Sequence, residues 1–375
     1  MNNQQQKLRI IISGGGTGGH IFPAISIANA LMQKDSTIDI LFVGAEGKME
    51  MEKVPAAGYK IVGLPVRGFQ RKLTFQNISF FYKLLVSMMR ARKIVKSFNP
   101  HVVVGVGGFA SGPILRAAAK AKVPTLIQEQ NSYAGVTNKL LAHKANRICV
   151  AYEGMERFFP KEKIVFTGNP VRQDLSDISA KKHEEALIHF ELKANKKILL
   201  VVGGSLGART INKSIEAGLQ KIIDNKIQLI WQTGKDYYEV SKQAADEIHS
   251  DDIKVHSFIS RMDLAYSLAD VVISRAGAST VSELCMVKKP SILVPSPNVA
   301  EDHQTKNAMA LIKNDAAMMI TDAEAPLKLV DEAIKLLNDE FRINVYKENS
   351  GKMAVTNSAE KIADEIFSLI EPSVS

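Results

Sequence analysis

The sequence predicts an α/β protein of two Rossmann-like domains, each built on a parallel sheet, with the two sheets facing each other across a cleft. Three observations predict it. Glycine-rich loops, Gly14-Gly15-Gly16-Thr17-Gly18-Gly19-His20 and Gly203-Gly204-Ser205-Leu206-Gly207-Ala208, recur 189 residues apart, each between an apolar run and a helical pattern. Short β-branched runs alternate with amphipathic stretches on both sides of a turn-forming Gly168-Asn169-Pro170. At 375 residues the chain also exceeds the size that one hydrophobic core usually supports.

In the first half, strands are expected near residues 8–13, 38–43, 101–104, 123–127 and 147–151. In the second half they are expected near 197–202, 227–231, 253–258, 270–274 and 291–294. The domains are therefore drawn as 1–167 and 168–355. A final helix within about 356–375, with Ile362, Ile366, Leu369 and Ile370 at helical spacing, is drawn back onto the first domain. Ligands of such sheets sit beyond the C-terminal strand ends, where both glycine loops lie.

Composition narrows the function. With 46% hydrophobic and 23% charged residues the chain reads as a soluble globular protein, so disorder is expected only at its ends. Cys149 and Cys285, far apart and each in an apolar segment, suit a reducing compartment and argue against disulfides or a cysteine metal site. The polar Met1–Gln6 lacks the features of a signal peptide, and no apolar run approaches the roughly 20 residues of a membrane span. A net charge of +9 favours anionic partners. With no RNA-binding signature and no basic run interleaved with aromatics, nucleic acid is not expected among them.

Gly14, Gly16 and Gly19 fit the G-x-G-x-x-G spacing of dinucleotide sites, with Glu46 as a ribose-binding acid beyond the second strand. Two details oppose that reading. The acid lies 27 residues past Gly19, and the loop ends in His20, which dinucleotide binding does not explain. In the first helical turn, His20 is either a proton acceptor for an attacking hydroxyl or a capping and packing residue. A further loop, Gly105 to Pro113, carries four glycines in eight residues, and together the first-domain loops can cradle a diphosphate. In Val271 to Leu284, Thr280 and Glu283 fit a capping box, while Glu283 is equally placed to grip a ribose diol above phosphates held at the helix start. Glu301 to Ala308 opens another helix with side chains suited to sugar hydroxyls.

Seven segments in one order, Gly14–His20, Gly105–Pro113, Gln128–Asn131, Gly168–Arg172, Gly203–Ala208, Ala276–Glu283 and Asp302–Ala308, resemble the MurG family of peptidoglycan glycosyltransferases. The resemblance runs from Ile10 to about Ala310. It implies a GT-B fold, no cofactor or metal, and inverting transfer of N-acetylglucosamine from UDP-GlcNAc to the muramyl 4-hydroxyl of lipid I, giving lipid II and UDP. By that similarity Ser205 and the helix start Ala278-Ser279-Thr280-Val281-Ser282 meet the donor diphosphate, the Ile259 backbone meets uracil, Glu283 the ribose and Gln304 the sugar. Arg172 helps close the site, and Thr17, Gly18, Gly19 and Asn131 reach the donor sugar from the first domain. Gly15, Gly16, Gly107 and Gly108 take the acceptor diphosphate. His20 is the candidate base, with Glu129 a second candidate base or an acceptor-binding group. Gln128, where many relatives carry His, and Phe109, where some carry Tyr, are departures, and neither is assigned proton transfer.

A lipid-anchored acceptor implies membrane contact, at the cytoplasmic face of the cell membrane. Between Ile78 and Met89 the apolar residues, among them Ile78, Phe80, Phe81, Leu84, Leu85 and Met88, cover about 240° of a helical wheel, against the roughly 100° of a core-facing stripe. Arg71, Lys72, Arg90, Arg92 and Lys93 flank it. The segment is either a membrane patch meeting anionic headgroups or a helix buried on two sides. The rival functions are a UDP-GlcNAc 2-epimerase, a nicotinamide-dependent oxidoreductase and a non-catalytic nucleotide-binding scaffold.

Overall fold

A computed structural model describes residues 7–66, 76–171, 175, 180–204 and 206–370. The chain divides into two compact units, Met1–Val171 with Val355–Ser375, and Arg172–Ala354.

The first unit runs β1 (Arg9–Ser13), α1 (Gly18–Lys34), β2 (Asp39–Ala45), α2 (Glu50–Ala56), β3 (Lys60–Leu64), α3 (Gln76–Phe98), β4 (Val102–Gly105), α4 (Ser111–Lys120), β5 (Thr125–Glu129), α5 (Val136–Leu141), β6 (Arg147–Val150) and β7 (Ile164–Phe166). Its seven strands form one parallel sheet in the order β3-β2-β1-β4-β5-β6-β7. Ile10 and Ile12 pack into the core on one face and Ile11 into the core on the other. A sheet covered on both faces explains the unbroken Ile10-Ile11-Ile12 and Val102-Val103-Val104 runs, which show no polar alternation.

The second unit runs α6 (Ala180–Phe190), β8 (Ile198–Val202), α7 (Arg209–Ala217), α8 (Leu219–Asp224), β9 (Gln228–Gln232), α9 (Tyr238–Asp246), β10 (Ile253–His256), α10 (Met262–Leu268), β11 (Val271–Ser274), α11 (Ala278–Met286), β12 (Ser291–Leu293), α12 (His303–Ile312), β13 (Met318–Met319), α13 (Ala325–Asn338) and α14 (Glu340–Lys352). Its parallel sheet has the order β10-β9-β8-β11-β12-β13. The chain then returns to the first unit as α15 (Ser358–Ser368), which packs on α1 with Ile362 and Ile366 fully buried beside Ile27 and Leu31.

All ten expected strands form. Three more, β3, β7 and β13, form sheet edges, where the strands are short or partly exposed. In each sheet the strand order reverses once, between β1 and β4 and between β8 and β11, where Ser13 pairs with Gly105 and Ser274 with Val202. Loops leaving neighbouring strands in opposite directions open a crevice at such a reversal. The glycine loops stand there.

Candidate active site

In the first unit β1 ends at Ser13, whose hydroxyl donates to the Val43 carbonyl at 2.8 Å, and the chain turns through Gly14–Thr17 into α1. Thr17 occupies the N-cap with extended dihedrals and no side-chain cap bond. His20 therefore stands in the first turn, its Nδ1 3.1 Å from the Gly15 carbonyl and 3.4 Å from Thr17 Oγ1. A carbonyl only accepts, so Nδ1 carries the hydrogen and Nε2 is the basic nitrogen of the neutral ring. The loop after β4 closes against it. A Cβ at Gly107 (φ +95°) would fall 2.7 Å from the imidazole Cδ2, and one at Gly108 (φ +87°) 2.4 Å from the Gly15 carbonyl oxygen. Gly107 and Gly108 thus let the two loops pack on each other. A Cβ at Gly18 would lie 3.1 Å from the Phe22 ring, and one at Gly19 3.7 Å from Thr17 Oγ1.

The residue that shapes this loop was not singled out from the sequence. Glu50, in the first turn of α2, is fully buried, and its Oε2 and Oε1 accept the Gly16 and Ala45 N–H groups, each at 2.9 Å. A Cβ at Gly15 would fall 2.2 Å from Oε1, and one at Gly44 would fall 2.6 Å from Glu50 Cγ. The Gly15 and Gly16 expected to cradle a diphosphate are therefore engaged from below by a carboxylate, and the Gly16 N–H is no longer a donor for phosphate. Glu46, read as a possible ribose acid, instead pairs at the half-exposed surface with Arg90 at 2.7 Å. In a single sequence nothing separates Glu50 from its neighbour Glu52.

Glu129, at the end of β5, is buried and accepts four hydrogen bonds: from the Asn131 N–H (3.0 Å) and Nδ2 (3.2 Å), the Gly135 N–H (2.9 Å) and Asn138 Nδ2 (2.8 Å). Such a carboxylate organises the turn from β5 to α5. Gln130 Nε2 donates to the Val106 carbonyl (2.6 Å) and to Gln128, whose own Nε2 donates to Asn169 Oδ1 at 3.1 Å. Asn169 Nδ2 returns to the Gln130 carbonyl at 2.9 Å. Gln128 is thus a buried link in the network that holds the loop after β4.

In the second unit the loop after β8 locks onto the turn after β9. A Cβ at Gly207 (φ +82°) would fall 2.3 Å from the Thr233 carbonyl oxygen, and one at Gly234 (φ +82°) 2.2 Å from the Gly207 nitrogen. Ser205 and Arg172 lie outside the described residues. Arg275, after β11, donates to the Val294 and Pro295 carbonyls (3.1 and 3.2 Å) and to Asp322, which also accepts from Thr210 Oγ1 at 2.8 Å. One guanidinium so ties the loops that follow β11, β12 and β13 to the start of α7, a role for which the sequence offered no signal.

The expected capping box does not form. α11 starts at Ala278 with Gly277 at its N-cap and no side-chain cap, so Thr280 and Glu283 lie within the helix. Glu283 Oε2 accepts the Tyr266 hydroxyl at 3.1 Å. Tyr266 is itself buried on α10, whose start is pinned by Arg261 on Asp263 (3.0 and 2.9 Å) with Lys182 at 3.2 Å. The Arg261 guanidinium holds the Asp263 carboxyl down at about 2. The Ala278 and Val281 side chains are buried, so these residues offer a ligand only backbone, and Ser282 Oγ donates to the Ala278 carbonyl at 3.1 Å. Ser279 Oγ is buried at the helix start without a hydrogen-bond partner. The Ile259 N–H donates to Gln232 Oε1 at 2.8 Å. Gln304, in the first turn of α12, accepts the Ser296 N–H at 2.8 Å, which orients its amide. Glu301 and Asp302, just before it, both adopt left-handed dihedrals (φ +54° and +52°).

On α3, Tyr82, Leu85 and Met89 are exposed, Leu84 and Met88 are half-buried and Ser87 is buried. Over these residues one side of the helix is exposed. Arg90 is held by Glu46, leaving Arg92 and Lys93 as the exposed flanking charges. Arg71 and Lys72, and the side chains of Ile78, Phe80 and Phe81, lie outside the described residues. Among the described residues no helix is long and apolar enough to cross a membrane, and no three His, Cys, Asp or Glu side chains gather as a metal-holding group.

Residues 10–150 match the glycosyltransferase family 28 N-terminal domain and residues 198–366 its C-terminal domain. A protein of Parabacteroides distasonis named UDP-N-acetylglucosamine--N-acetylmuramyl-(pentapeptide) pyrophosphoryl-undecaprenol N-acetylglucosamine transferase is 58% identical over 366 residues, covering 98% of this chain and 99% of its own. The crystal structure of Acinetobacter baumannii MurG superposes with a TM-score of 0.74 at 26% identity over 96% of this chain and 99% of that one. A UDP-N-acetylglucosamine 2-epimerase shares the fold at a TM-score of 0.64 and 14% identity, over 96% of this chain and 95% of that one. With both domain models and a near full-length relative above half identity, the chain belongs to glycosyltransferase family 28.

Proposed function

We propose that the chain transfers N-acetylglucosamine from UDP-GlcNAc to the muramyl 4-hydroxyl of undecaprenyl-diphosphate-linked MurNAc-pentapeptide, forming lipid II and UDP with inversion at the anomeric carbon. The observation that carries the chemistry is the 3.1 Å contact of His20 Nδ1 with the Gly15 carbonyl: a carbonyl only accepts, so we assign the hydrogen to Nδ1 and the proton-acceptor role to Nε2. Nε2 removes the hydroxyl proton as the acceptor oxygen bonds to the anomeric carbon, and the electron pair of the breaking bond leaves with UDP. The uncapped N–H groups of α11 and the unpartnered Ser279 hydroxyl suit that departing diphosphate.

Glu283, held by Tyr266, takes the ribose diol, the Ile259 carbonyl a uracil edge, and the Gln304 amide the GlcNAc hydroxyls. Ser205 and Arg172 join the donor site on the strength of the family resemblance, as do Thr17, Gly18, Gly19 and Asn131. Glu129, with four donors already on its carboxylate, shapes the turn that presents Asn131 and leaves the proton to His20. The acceptor diphosphate falls to the loop that carries Gly107 and Gly108. The enzyme works at the cytoplasmic face of the membrane, with the exposed apolar stripe of α3 as its contact.

UDP release from UDP-GlcNAc, measured with and without a soluble short-chain lipid I analogue, tests this. Release that depends on the acceptor is expected. Turnover of UDP-GlcNAc that ignores the acceptor would favour the epimerase, and no release at all would favour a scaffold.

A further inference from the structure

The peptide group between Gly15 and Gly16 is hydrogen-bonded at both ends. Its N–H donates to Glu50 Oε2 at 2.9 Å, and its carbonyl accepts His20 Nδ1–H at 3.1 Å. In a trans peptide these two groups point in opposite directions, so carboxylate, amide and imidazole form one continuous chain. From this geometry we infer that Glu50 is a positioning residue for the base, acting on His20 through that single peptide. The inference rests on the reading of His20 as the proton acceptor.

The physical case has three parts. A negative charge on the N–H side polarises the amide and makes its carbonyl a stronger acceptor, as in any cooperative hydrogen-bond chain. The stronger acceptor holds Nδ1 protonated and stabilises the imidazolium that forms when Nε2 takes the proton. This is the logic of a carboxylate that orients a histidine directly, with one amide inserted between them. The burial of Glu50 supplies the third part. It is fully buried, it makes no ion pair among the described residues, and both oxygens are held by backbone N–H groups alone. Two backbone N–H groups need two acceptor oxygens, which a carboxylate supplies and a neutral amide does not, so the charge is carried into the interior with that pair of bonds.

Other charged groups stand on the elements packed against α1. The loop after β4 sets Gly107 beside the ring and Gly108 against the Gly15 backbone. On the elements packed against α1, β1 carries Arg9, whose side chain donates to the Asn99 carbonyl. On α2, Glu52 and Lys53 are exposed. On α15, Asp364 pairs with Lys34 in the last turn of α1 and Glu365 with Arg147, while Glu360 and Lys361 lie in its first turns.

The test is ¹⁵N NMR of the His20 imidazole in the full-length unliganded protein, the signal being assigned by its loss in His20→Asn. In the wild type the Nδ1–H tautomer is expected; a ring found with hydrogen on Nε2 overturns the inference whether or not any variant folds. In Glu50→Gln, which keeps the size, removes the charge and retains one acceptor oxygen for the two N–H groups, the His20 titration midpoint is expected to fall by about half a unit or more. The acid limb of the kcat–pH profile should move down with it, at unchanged donor KM. A Gln variant that melts like the wild type and titrates His20 at an unchanged midpoint also overturns it. The NMR readout needs no turnover, so it is separate from the fate of the base itself: full kcat in His20→Asn would remove the base and leave the Glu50–His20 coupling to be judged alone.

Discussion

The two units carry the same strand reversal and the same kind of glycine loop, yet they use it differently. In the first, the loop is filled from within by the Glu50 carboxylate and clamped by Gly107 and Gly108, so the group it presents is a side chain, His20. In the second, the loop leans away onto the turn after β9 through Gly207 and Gly234, and the reversal is left to the uncapped start of α11. A loop that spends its backbone donors internally cannot also bind phosphate with them. On the proposed reading, one fold thereby serves proton transfer in one unit and nucleotide binding in the other.

The largest test of that division is His20→Ala. It should lower kcat about 10²–10⁴-fold, the usual worth of general base catalysis, with donor KM nearly unchanged. Steady-state UDP release at saturating donor measures it, and near-wild-type kcat would mean that the first unit supplies no base. Glu283→Ala should do the reverse. Losing a charged hydrogen bond to the ribose costs about 1.5–3 kcal/mol, or roughly 10–100-fold in donor KM, with kcat moving far less. Should kcat fall and KM hold, the units would not be divided as argued.

Much of this was legible in the sequence because buried parallel strands write themselves as apolar runs and strand-to-helix loops as glycines. Helix α15 was legible for the same reason, through Ile362 and Ile366. What the sequence hid is pairing at a distance. Glu50 and Gly15 are 35 residues apart, and only the fold reveals that the glycine makes room for the carboxylate. Thr280 and Glu283 had the spacing of a capping box, but the helix begins at Ala278, a shift that local pattern does not encode. Arg275 and Asp322 meet across 47 residues for the same reason.

Matched alanine substitutions in the two loops sharpen the contrast. Gly107→Ala and Gly207→Ala both place a Cβ at positive φ, which costs about 1–2 kcal/mol in either unit. The added methyl at 107 meets the His20 ring, and at 207 it meets the Thr233 backbone. Gly107→Ala should therefore lower kcat about tenfold by displacing the imidazole, at unchanged donor KM. Gly207→Ala should chiefly lower the melting temperature, by about 5 °C for a unit of this size. Equal effects of both on kcat would show that the loops are interchangeable.

The smallest expected effect concerns α3, which belongs to the first unit and has no counterpart in the comparison of loops. Tyr82, Leu85 and Met89 are exposed at helical spacing, with Arg92 and Lys93 exposed just beyond them. Apolar side chains entering the headgroup boundary, together with basic residues worth about 1 kcal/mol each near anionic lipid, would hold the first unit at the surface where a lipid-linked acceptor resides. A Tyr82→Ser, Leu85→Ser double variant should bind vesicles of anionic phospholipid several-fold more weakly in flotation. Its UDP release with a soluble acceptor should stay at the wild-type rate, because both side chains are exposed on α3. Binding in the wild type should also weaken with salt, since the basic contribution is screened within about 10 Å at 0.1 M. Unchanged flotation of the double variant would remove α3 from the membrane surface and leave its exposed stripe unexplained, while a matching loss with the soluble acceptor would mean that the substitutions had disturbed the fold of the first unit.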